Sequence, residues 1–403
     1  MGKRILVLGS SFGGFNAAIR LRKLLGGEHG ITVVSADPMF TFTPSLPWVA
    51  MGWREPSTIQ HPVAERLRKA GISHTQDTIT RLEPAACRAI GESGTYDYDY
   101  LVAATGSELD FAAVPGLGPD EGHSHALFTV EHALAVRRAL EKLYARGDGS
   151  IVVGNAQGAS CLGPAYEMAF MIDTVLRRKK LRGKFSISLF TNEPYAGHFG
   201  VGGFGAMRRM LEDEFADRDI ECITNARLAA VTPEGVELEG GRTLVSDFSL
   251  ITPPFYGSHA YMGEEGLANP RGFLLANGYL ANPRYPNIYA VGVALAIPPK
   301  EATPVPVGVP KTGQMTETMA LRAAHNIAAD IGGGEKVRGG DFGVLCIADA
   351  GNTAFLVGAS PLQPPRNRLA HKKGKIFHYM KAAFEIYYMA HVRYGLPMPE
   401  NSW

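Results

Sequence analysis

The apolar positions of this chain follow a strand, turn and helix order that occurs twice. An apolar run at Arg4–Leu8 leads into a glycine-rich turn, a helical period covers Phe15–Leu25, and another apolar run follows at Ile31–Ser35. Strand, helix and strand in this order predict a βαβ unit with parallel strands. The same pattern predicts a second unit at Ile151–Val153, Ser160–Arg178 and Ser186–Thr191.

The last part of the chain has a different pattern. No aspartate or glutamate occurs from Ala350 to Phe384, whereas lysines and arginines are frequent there. A core helix or a dimer seam would explain the apolar stripe that follows, but basic residues beside an aromatic stripe also suit an anionic membrane surface. The stripe, at spacings of three and four, consists of Phe377, Met380, Phe384, Tyr387, His391 and Tyr394.

These patterns predict an α/β fold with two Rossmann-like dinucleotide-binding domains, the second inserted in the first. A C-terminal amphipathic helical region follows, which we expect to lie on a membrane surface. We expect the first domain to comprise residues 1–107 and 266–330, the second residues 108–265, and the C-terminal region residues 331–403.

Composition narrows the function classes. The net charge is +1, so no global field would attract nucleic acid. Four cysteines in 403 residues do not form a disulfide scaffold, so a disulfide here is expected to be catalytic. The N-terminus starts directly with a strand, which predicts no signal peptide, and no apolar run is long enough to span a bilayer as a helix.

The first glycine-rich turn is a candidate nucleotide site. Its residues match the dinucleotide fingerprint, except that a serine replaces the middle glycine. The turn follows a strand and opens a helix, where backbone N–H groups bind phosphate. Cofactor contacts are therefore predicted at Gly9, Ser10, Ser11, Phe12, Gly13 and Gly14, at Ser35 and Ala36 after the second strand, and at Ala104, Thr105, Gly106 and Gly292, where further strands end.

The second glycine-rich turn carries a thiol, Cys161, in place of a phosphate-binding residue. A helix N-terminus lowers a thiol's pKa, so a reactive cysteine is predicted there, against the alternative of a small buried apolar residue. Ala156 and Ala159 replace two glycines of the fingerprint. We also expect no acidic residue after the second strand of this unit, and both features argue against a bound NAD.

Longer segments carry a family resemblance. With these elements in place, the chain resembles the sulfide:quinone oxidoreductases over almost its whole length. The most specific segments are Thr43-Pro44-Ser45-Leu46-Pro47-Trp48, the run from Gly158 to Glu167, the run from Pro304 to Gly313, and Cys346-Ile347-Ala348-Asp349.

The resemblance implies FAD as cofactor and sulfide and quinone as substrates. Cys161 and Cys346 would form a redox disulfide, with no metal involved. Proton transfer would involve His132, His198 and Glu167, although a structural histidine is the commoner case. Lys311 and Thr43 would contact the flavin, and Phe384 and Tyr387 the quinone. We expect a peripheral protein of a bacterial-type cell membrane; the membrane face and a homo-oligomeric state stay open.

One position departs from the family. Family members commonly carry a third cysteine just before a Val-Glu-His segment, and here that residue is Phe128. The departure leaves the length and release of the sulfur product open. Alternatives are the flavin subunit of a flavocytochrome sulfide dehydrogenase, a type II NADH:quinone dehydrogenase and a flavin-binding redox sensor without turnover.

Overall fold

The structure is a computed structural model that describes residues 2–339 and 342–397. The helices of this part are α1 Phe12–Leu25, α2 Leu46–Ala50, α3 Pro56–Ile59, α4 Ala64–Lys69, α5 Val130–Arg146, α6 Gly163–Arg178, α7 Met207–Asp217, α8 Gly313–Gly332 and α9 Lys375–Tyr394.

The strands are short and numerous, as befits several small sheets. They are β1 Arg4–Leu8, β2 Gly30–Ser35, β3 Met39–Thr41, β4 Gln60–Pro62, β5 Ser73–Gln76, β6 Ile79–Glu83, β7 Arg88–Gly91, β8 Thr95–Asp97, β9 Tyr100–Ala103, β10 Glu108–Leu109, β11 Gly149–Asn155, β12 Phe185–Thr191, β13 Glu221–Ile223, β14 Leu228–Thr232, β15 Gly235–Leu238, β16 Arg242–Val245, β17 Phe248–Thr252, β18 Phe255–Tyr256, β19 Ile288–Ala290, β20 Val344–Asp349, β21 Ala354–Ser360 and β22 Arg368–Gly374.

The first sheet is parallel and has the order β19-β9-β1-β2-β5. Its central strand is apolar on both faces, with Ile5 to Leu8 buried, as expected for a parallel sheet covered on both sides. Helix α1 packs closely against α8, and the fully buried Ala17 and Ala18 on α1 have side chains small enough for that approach.

The second sheet is also parallel, with the order β13-β12-β11-β17. Helix α6 packs on β11 and β12. The chain leaves the first sheet after β9 and returns to it only at β19, so the second unit is inserted in the first. This arrangement confirms the predicted α/β class with two Rossmann-like units.

Two predicted element boundaries matter for the site. Helix α6 begins at Gly163 rather than Ser160, so Cys161 precedes the helix and its capping residue Leu162. Helix α9 spans the predicted aromatic stripe, but the stripe is rotated: His391 is buried, whereas Ile376, Tyr379 and Ile386 are exposed. In the described part of the chain, no helix is both long and apolar enough to cross a membrane.

The C-terminal region forms an antiparallel sheet, β20-β21-β22, from which α9 continues directly. Cys346 lies on β20 opposite Val357. Both β20 and β21 pack against α9, and β20 also contacts α6. The third sheet therefore brings Cys346 to the helix that follows Cys161.

Candidate functional site

The first glycine-rich turn is shaped by two close backbone approaches. Gly9 has a φ of 97°, and a Cβ there would overlap the Ala104 carbonyl oxygen. A Cβ at Gly14 would overlap the carbonyl oxygen of Gly9 itself. Glycine is required where the backbone passes this closely, and the turn leaves the N-terminus of α1 free to bind an anion.

A cavity of about 480 Å³ lies at this turn. It brings together most of the predicted cofactor residues, namely Gly9, Ser10, Ser11, Ser35, Ala36, Thr43, Ala104, Thr105 and Gly106. Phe12, Gly13, Gly14, Gly292 and Lys311 lie outside its wall. A Cβ at Gly13 would contact Val291 at 3.1 Å, and one at Gly292 would contact Thr316 at 2.7 Å, so these glycines serve close packing instead.

Acidic residues line the cavity, among them Asp37, which the sequence offers together with Ser35 as a partner for the adenosine ribose, and Asp77, which sequence reasoning did not select. Asp77 is buried and accepts hydrogen bonds from Tyr96 Oη at 2.8 Å and from the Ser93 backbone N–H. The Ser35 and Ser10 hydroxyls both donate to the Asp37 carbonyl oxygen, at 2.8 and 3.0 Å. Ser35 thus fixes the loop, and Asp77 and Asp37 add acceptors to the cavity wall.

Lys311 is a cation held in a desolvated place. Its Nζ lies 5.5 Å from the ring centroid of Phe273, and burial lowers its pKa to about 8. No carboxylate of the described residues forms an ion pair with it. A lysine in this state has a strong electrostatic preference for an anionic partner, as a reduced flavin would provide.

The second glycine-rich turn is covered by the chain itself. We call residues 304–310, which precede α8, the strap. The Gly158 N–H donates to the Pro306 carbonyl oxygen at 2.6 Å, and the Gly308 N–H donates to the Ala159 carbonyl oxygen at 2.9 Å. A Cβ at Gly308 would contact the Ser160 Cβ at 2.6 Å. The strap therefore fills the space in which a pyrophosphate would bind. It also accepts the hydrogen bond of the Gly158 N–H, which could otherwise donate to a phosphate oxygen.

An acidic residue does follow the second strand of this unit, contrary to the prediction. Glu193 lies two residues after β12 and is completely buried. Its carboxylate accepts hydrogen bonds from Tyr166 Oη at 2.5 Å, Thr191 Oγ1 at 2.7 Å and the Phe199 N–H at 2.7 Å. The side chain points into the protein and is saturated with donors, so it does not present an acceptor to a ribose.

Cys161 and Cys346 come together, although they are 185 residues apart in sequence (346 − 161). All four cysteines are free thiols, Cys161 half-buried and Cys346 more accessible. Burial and, to a smaller extent, the nearby Cys346 and Glu167 together raise the pKa of Cys161 to about 12. The prediction of a lowered pKa at Cys161 is therefore wrong, because the thiol lies before the helix and its desolvation dominates.

A cation lies near the thiol of Cys346. Burial and the charge of Glu167 together raise the pKa of this thiol to about 11, against the opposing effect of Lys381. Because the thiolate is the form that reacts, Lys381 favours the reactive form at Cys346.

A buried ion pair stands beside the two thiols. Lys381 Nζ on α9 lies 2.6 Å from Glu167 Oε1 on α6, and the Asp349 N–H donates to the same oxygen at 2.7 Å. Desolvation raises the pKa of Glu167, and Lys381 counteracts it. Glu167 thus lies beside the two thiols, while its proton role stays a prediction, and Lys381, one of the lysines in the basic stretch near the C-terminus, is buried with it.

The two predicted histidines lie elsewhere in the fold. His132, on α5, packs against Phe111, and burial lowers its pKa. His198 is buried, with Nε2 3.2 Å from Glu301 Oε1 and Nδ1 accepting from the Gly200 N–H. The structure shows no contact of either histidine with Cys161 or Cys346, and their proton roles stay predictions.

An aromatic cluster lies where α9 meets α1. Tyr388 is at its centre and contacts the rings of Phe12, Phe42 and Phe384, with centroids 5.0, 5.5 and 5.6 Å away. Phe384 is also partly exposed, so it joins the cluster to the outer face of α9. Tyr387 points outward, and its hydroxyl donates to the Pro397 carbonyl oxygen.

Sequence reasoning also missed Glu317. This residue lies in the first turns of α8, is buried, and affects the pKa of Tyr388 by its charge. Burial raises the pKa of Glu317 to about 7. A carboxyl with this pKa can donate or accept a proton at neutral pH beside the aromatic cluster. The one sequence signal that could have indicated Glu317 is its position, four residues after the family-like segment from Pro304 to Gly313.

Comparisons with known proteins identify the family of this chain. Residues 3–177 match the family model of the pyridine nucleotide-disulphide oxidoreductases. The sulfide-quinone reductase of Aquifex aeolicus is 41% identical to this chain. The alignment is 403 positions long and covers 98% of this chain and 92% of the relative. The crystal structure of the Aquifex aeolicus sulfide:quinone oxidoreductase superposes with a TM-score of 0.92 at 40% identity, covering 99% of this chain and 93% of that one.

A more distant structure shares the fold alone. NDH2 from Plasmodium falciparum, solved with NADH, superposes with a TM-score of 0.70 at 15% identity, over 98% of this chain and 99% of that one. Fold and site together define the class: this is an FAD-dependent oxidoreductase with two Rossmann-like units and a thiol pair. Within that class, the chain belongs to the sulfide:quinone oxidoreductase family.

Proposed function

We propose that this protein oxidises sulfide through Cys161, Cys346 and FAD and passes two electrons to a membrane quinone. The single observation that carries the proposal is the thiol pair in the place of the second nucleotide site, with Glu167 and Lys381 beside it. Its support from relatives is the similarity to the Aquifex aeolicus sulfide-quinone reductase.

The proposed oxidation of sulfide begins at the disulfide. Hydrosulfide attacks one sulfur of the Cys161–Cys346 disulfide, the S–S bond breaks, and a persulfide and a thiolate result. The thiolate, which we place on Cys346, then bonds the persulfide sulfur. The persulfide proton passes to a base and the two cysteines end bridged by one additional sulfur, an oxidation whose two electrons a bound flavin would accept. FAD, when bound, accepts the electron pair and transfers it to quinone.

Different residues of this chain would bind FAD, stabilise its reduced form and contact the quinone. The first glycine-rich turn and its cavity hold the dinucleotide part of FAD. Lys311 is placed to favour the anionic reduced cofactor. Phe384 and Tyr387, both partly exposed on α9, are the residues we propose to contact a quinone ring, and Glu317 is a carboxyl whose charge acts on Tyr388 in the same cluster.

The strap and Glu193 favour this function over an NADH dehydrogenase. A nicotinamide dinucleotide would have to displace the strap, whose backbone is hydrogen-bonded to Gly158 and Ala159. Glu193 would have to break its bonds to Tyr166 and Thr191 to reach a ribose. Both changes expose buried polar groups and are costly.

Helix α9 favours a membrane quinone over a haem partner. Its inner face is polar, with His378, Lys381, Glu385 and Tyr388 bonded to the rest of the protein. Its outer face is apolar, and Ile376, Tyr379, Met380 and Ile386 are 45–67% exposed. An exposed apolar stripe beside basic residues suits a lipid surface, from which quinone would enter. We therefore place the protein at the membrane periphery.

Anaerobic stopped-flow spectroscopy tests the function. Sulfide should bleach the flavin absorbance, a ubiquinone analogue should restore it, and NADH should do neither. Bleaching by NADH and not by sulfide would overturn the proposal. Bleaching by sulfide with reoxidation by a haem protein but not by quinone would favour a flavocytochrome partner instead.

Vesicle flotation tests the membrane surface. Ile386→Glu should weaken binding to anionic vesicles roughly tenfold, because a buried isoleucine contributes about 1.5–3 kcal/mol. The matched control is Val245→Glu, which places the same charge at an exposed apolar residue on β16. Equal binding of both variants would contradict the assignment of α9.

We also propose the domain limits given from the sequence, 1–107 with 266–330, 108–265, and 331–403. Sheet membership supports them, since β19 pairs with β9 and since β11, β12, β13 and β17 form a separate sheet. The outer limits at residues 1 and 403 lie outside the described residues.

A further inference from the structure

A second charged pair adjoins Glu167 and Lys381, and neither the sequence nor the proposed mechanism uses it. Asp349 ends β20, three residues after Cys346, and is completely buried. Its Oδ2 lies 2.6 Å from His378 Nδ1, and its Oδ1 accepts from the Gly351 N–H at 2.5 Å. A positive charge on the imidazole would compensate a carboxylate buried in this way.

The two pairs form one array. His378 and Lys381 lie three residues apart on the inner face of α9, where side chains at this spacing are neighbours. His378 bonds Asp349, Lys381 bonds Glu167, and the Asp349 N–H donates to Glu167. The negative charge of Asp349 raises the pKa of Glu167, and Glu167 in turn raises that of both thiols.

His378 is the member of the array that reaches the surface. Its side chain is 26% exposed, whereas those of Glu167, Asp349 and Lys381 are 0–8% exposed. The indole of Trp48 packs edge-on against its imidazole, with centroids 5.9 Å apart, and fixes the ring toward Asp349. A change in the charge of His378 therefore changes the electrostatic potential at Glu167 through Asp349.

Other ionisable groups surround the array and contribute to the electrostatic potential within it. Arg54 follows α2 and lies over Trp48, as does Lys381. Strand β22 packs against the same helix and is basic. The groups in question are Cys161 before α6, Glu167 on α6, Cys346 and Asp349 on β20, Arg54, Tyr379, Lys381 and Glu385, and Arg368, His371, Lys372 and Lys373 on β22.

We propose that His378 and Asp349 are positioning residues that set the protonation of Glu167, so that Glu167 takes the persulfide proton and this step responds to the charge of a surface histidine. The inference rests on the proposed function. In the step, the S–H bond breaks and an O–H bond forms at Glu167. The Cys346 thiolate forms the bond to the outer persulfide sulfur, and a bound flavin would accept the two electrons that this oxidation releases.

The sign of the effect follows from the charges. A positive charge at position 378 offsets the negative charge of Asp349 and so favours the ionised, proton-accepting form of Glu167. His378→Gln removes that positive charge, which raises the pKa of Glu167 and moves the acid limb of the pH profile to higher pH. Asp349→Asn removes the negative charge and retains the backbone N–H, which moves the acid limb to lower pH.

The experiment is anaerobic flavin reduction by sulfide with the FAD-loaded protein, measured from about pH 5.5 to about pH 9 so that the acid limb of the pH profile is covered. His378→Gln should slow reduction roughly threefold to tenfold on the acid limb and little above it, since one pKa unit is tenfold in protonation. Asp349→Asn should shift the limb in the opposite direction. His378→Lys, which keeps a positive charge, should restore the wild-type limb.

A control variant and two different contrary outcomes separate this inference from the proposed function. His325→Gln makes the same substitution on α8, where the imidazole bonds the Glu335 carbonyl oxygen, and should leave the profile unchanged. If His378→Gln does not move the limb, or if His378→Lys fails to restore it, the proposal is wrong even where Asp349→Asn does not fold. A wild-type flavin that sulfide does not reduce would instead refute the proposed function.

Discussion

The two glycine-rich turns have the same local architecture and opposite uses. In the first, Gly9 and Gly14 let the backbone pass closely and leave a cavity at the helix N-terminus. In the second, the strap lies on the turn, and its Gly308 and Pro306 are hydrogen-bonded to it. The difference teaches that a nucleotide fold can lose its ligand through a few backbone contacts while its strands and helices remain intact.

The acidic residues of the two units make the same contrast. Asp37 and Asp77 line the first cavity. Glu193 occupies the comparable place in the second unit but binds Tyr166, Thr191 and a backbone N–H inside the protein. A position that in one unit faces a ligand thus serves in the other as an internal clamp.

The largest expected effect concerns the thiols that mark the second turn. Cys161→Ser and Cys346→Ser should each slow flavin reduction by sulfide at least about a thousandfold, because a hydroxyl can neither form the disulfide nor act as the thiolate. Stopped-flow absorbance measures the rate, and flavin content should stay normal. Cys222→Ser, on β13, is the control and should react like the wild type. Full activity of either site variant would refute the two-thiol chemistry.

A second prediction concerns cofactor retention by the first turn. Gly14→Ala should yield protein with less than about a tenth of the normal flavin, since the added methyl overlaps the Gly9 carbonyl oxygen and distorts the phosphate-binding turn. The flavin-to-protein absorbance ratio measures this. Gly163→Ala, at the start of the helix in the second unit, meets no atom within 4 Å and should retain FAD. Equal loss in both variants would remove the contrast between the turns.

The smallest expected effect concerns the internal clamp. Tyr166→Phe should lower the free energy of unfolding by about 1.5–3 kcal/mol, because it removes a hydrogen bond to a buried carboxylate. Tyr144→Phe is the matched control: the Tyr144 hydroxyl is buried without a hydrogen-bond partner, so its removal should cost almost nothing. Denaturant titration compares the two, and a similar change in both would mean that Glu193 does not act as a clamp.

The sequence predicted what short-range patterns determine. The order of β1, α1 and β2 and the second βαβ unit follow from apolar periodicity and glycine placement, and the structure confirms them. The first turn was identified because glycine at a close backbone approach has a recognisable spacing. Family resemblance added the pairing of Cys161 with Cys346, which spacing alone does not give.

Side-chain partners at long separation were not predictable in the same way. Lys381 reaches Glu167 across 214 residues, so its place in the site depends on the rotation of α9 and not on local pattern. The same rotation buries His391 and exposes Ile386. The pKa of Cys161 was wrongly predicted since burial, which only the packed fold determines, outweighs the nearby helix terminus.

The strap has a consequence for how large a reductant the protein can admit. Asn192, Gly158 and Ala159 tie it to the second unit, while α8, which follows it, packs against α1 of the first. Opening a wide cleft between the units would break these bonds at each turnover. A donor the size of hydrosulfide, with a single heavy atom, needs no such opening. The selectivity of the thiol side is therefore expected to be a matter of passage width as much as of chemistry.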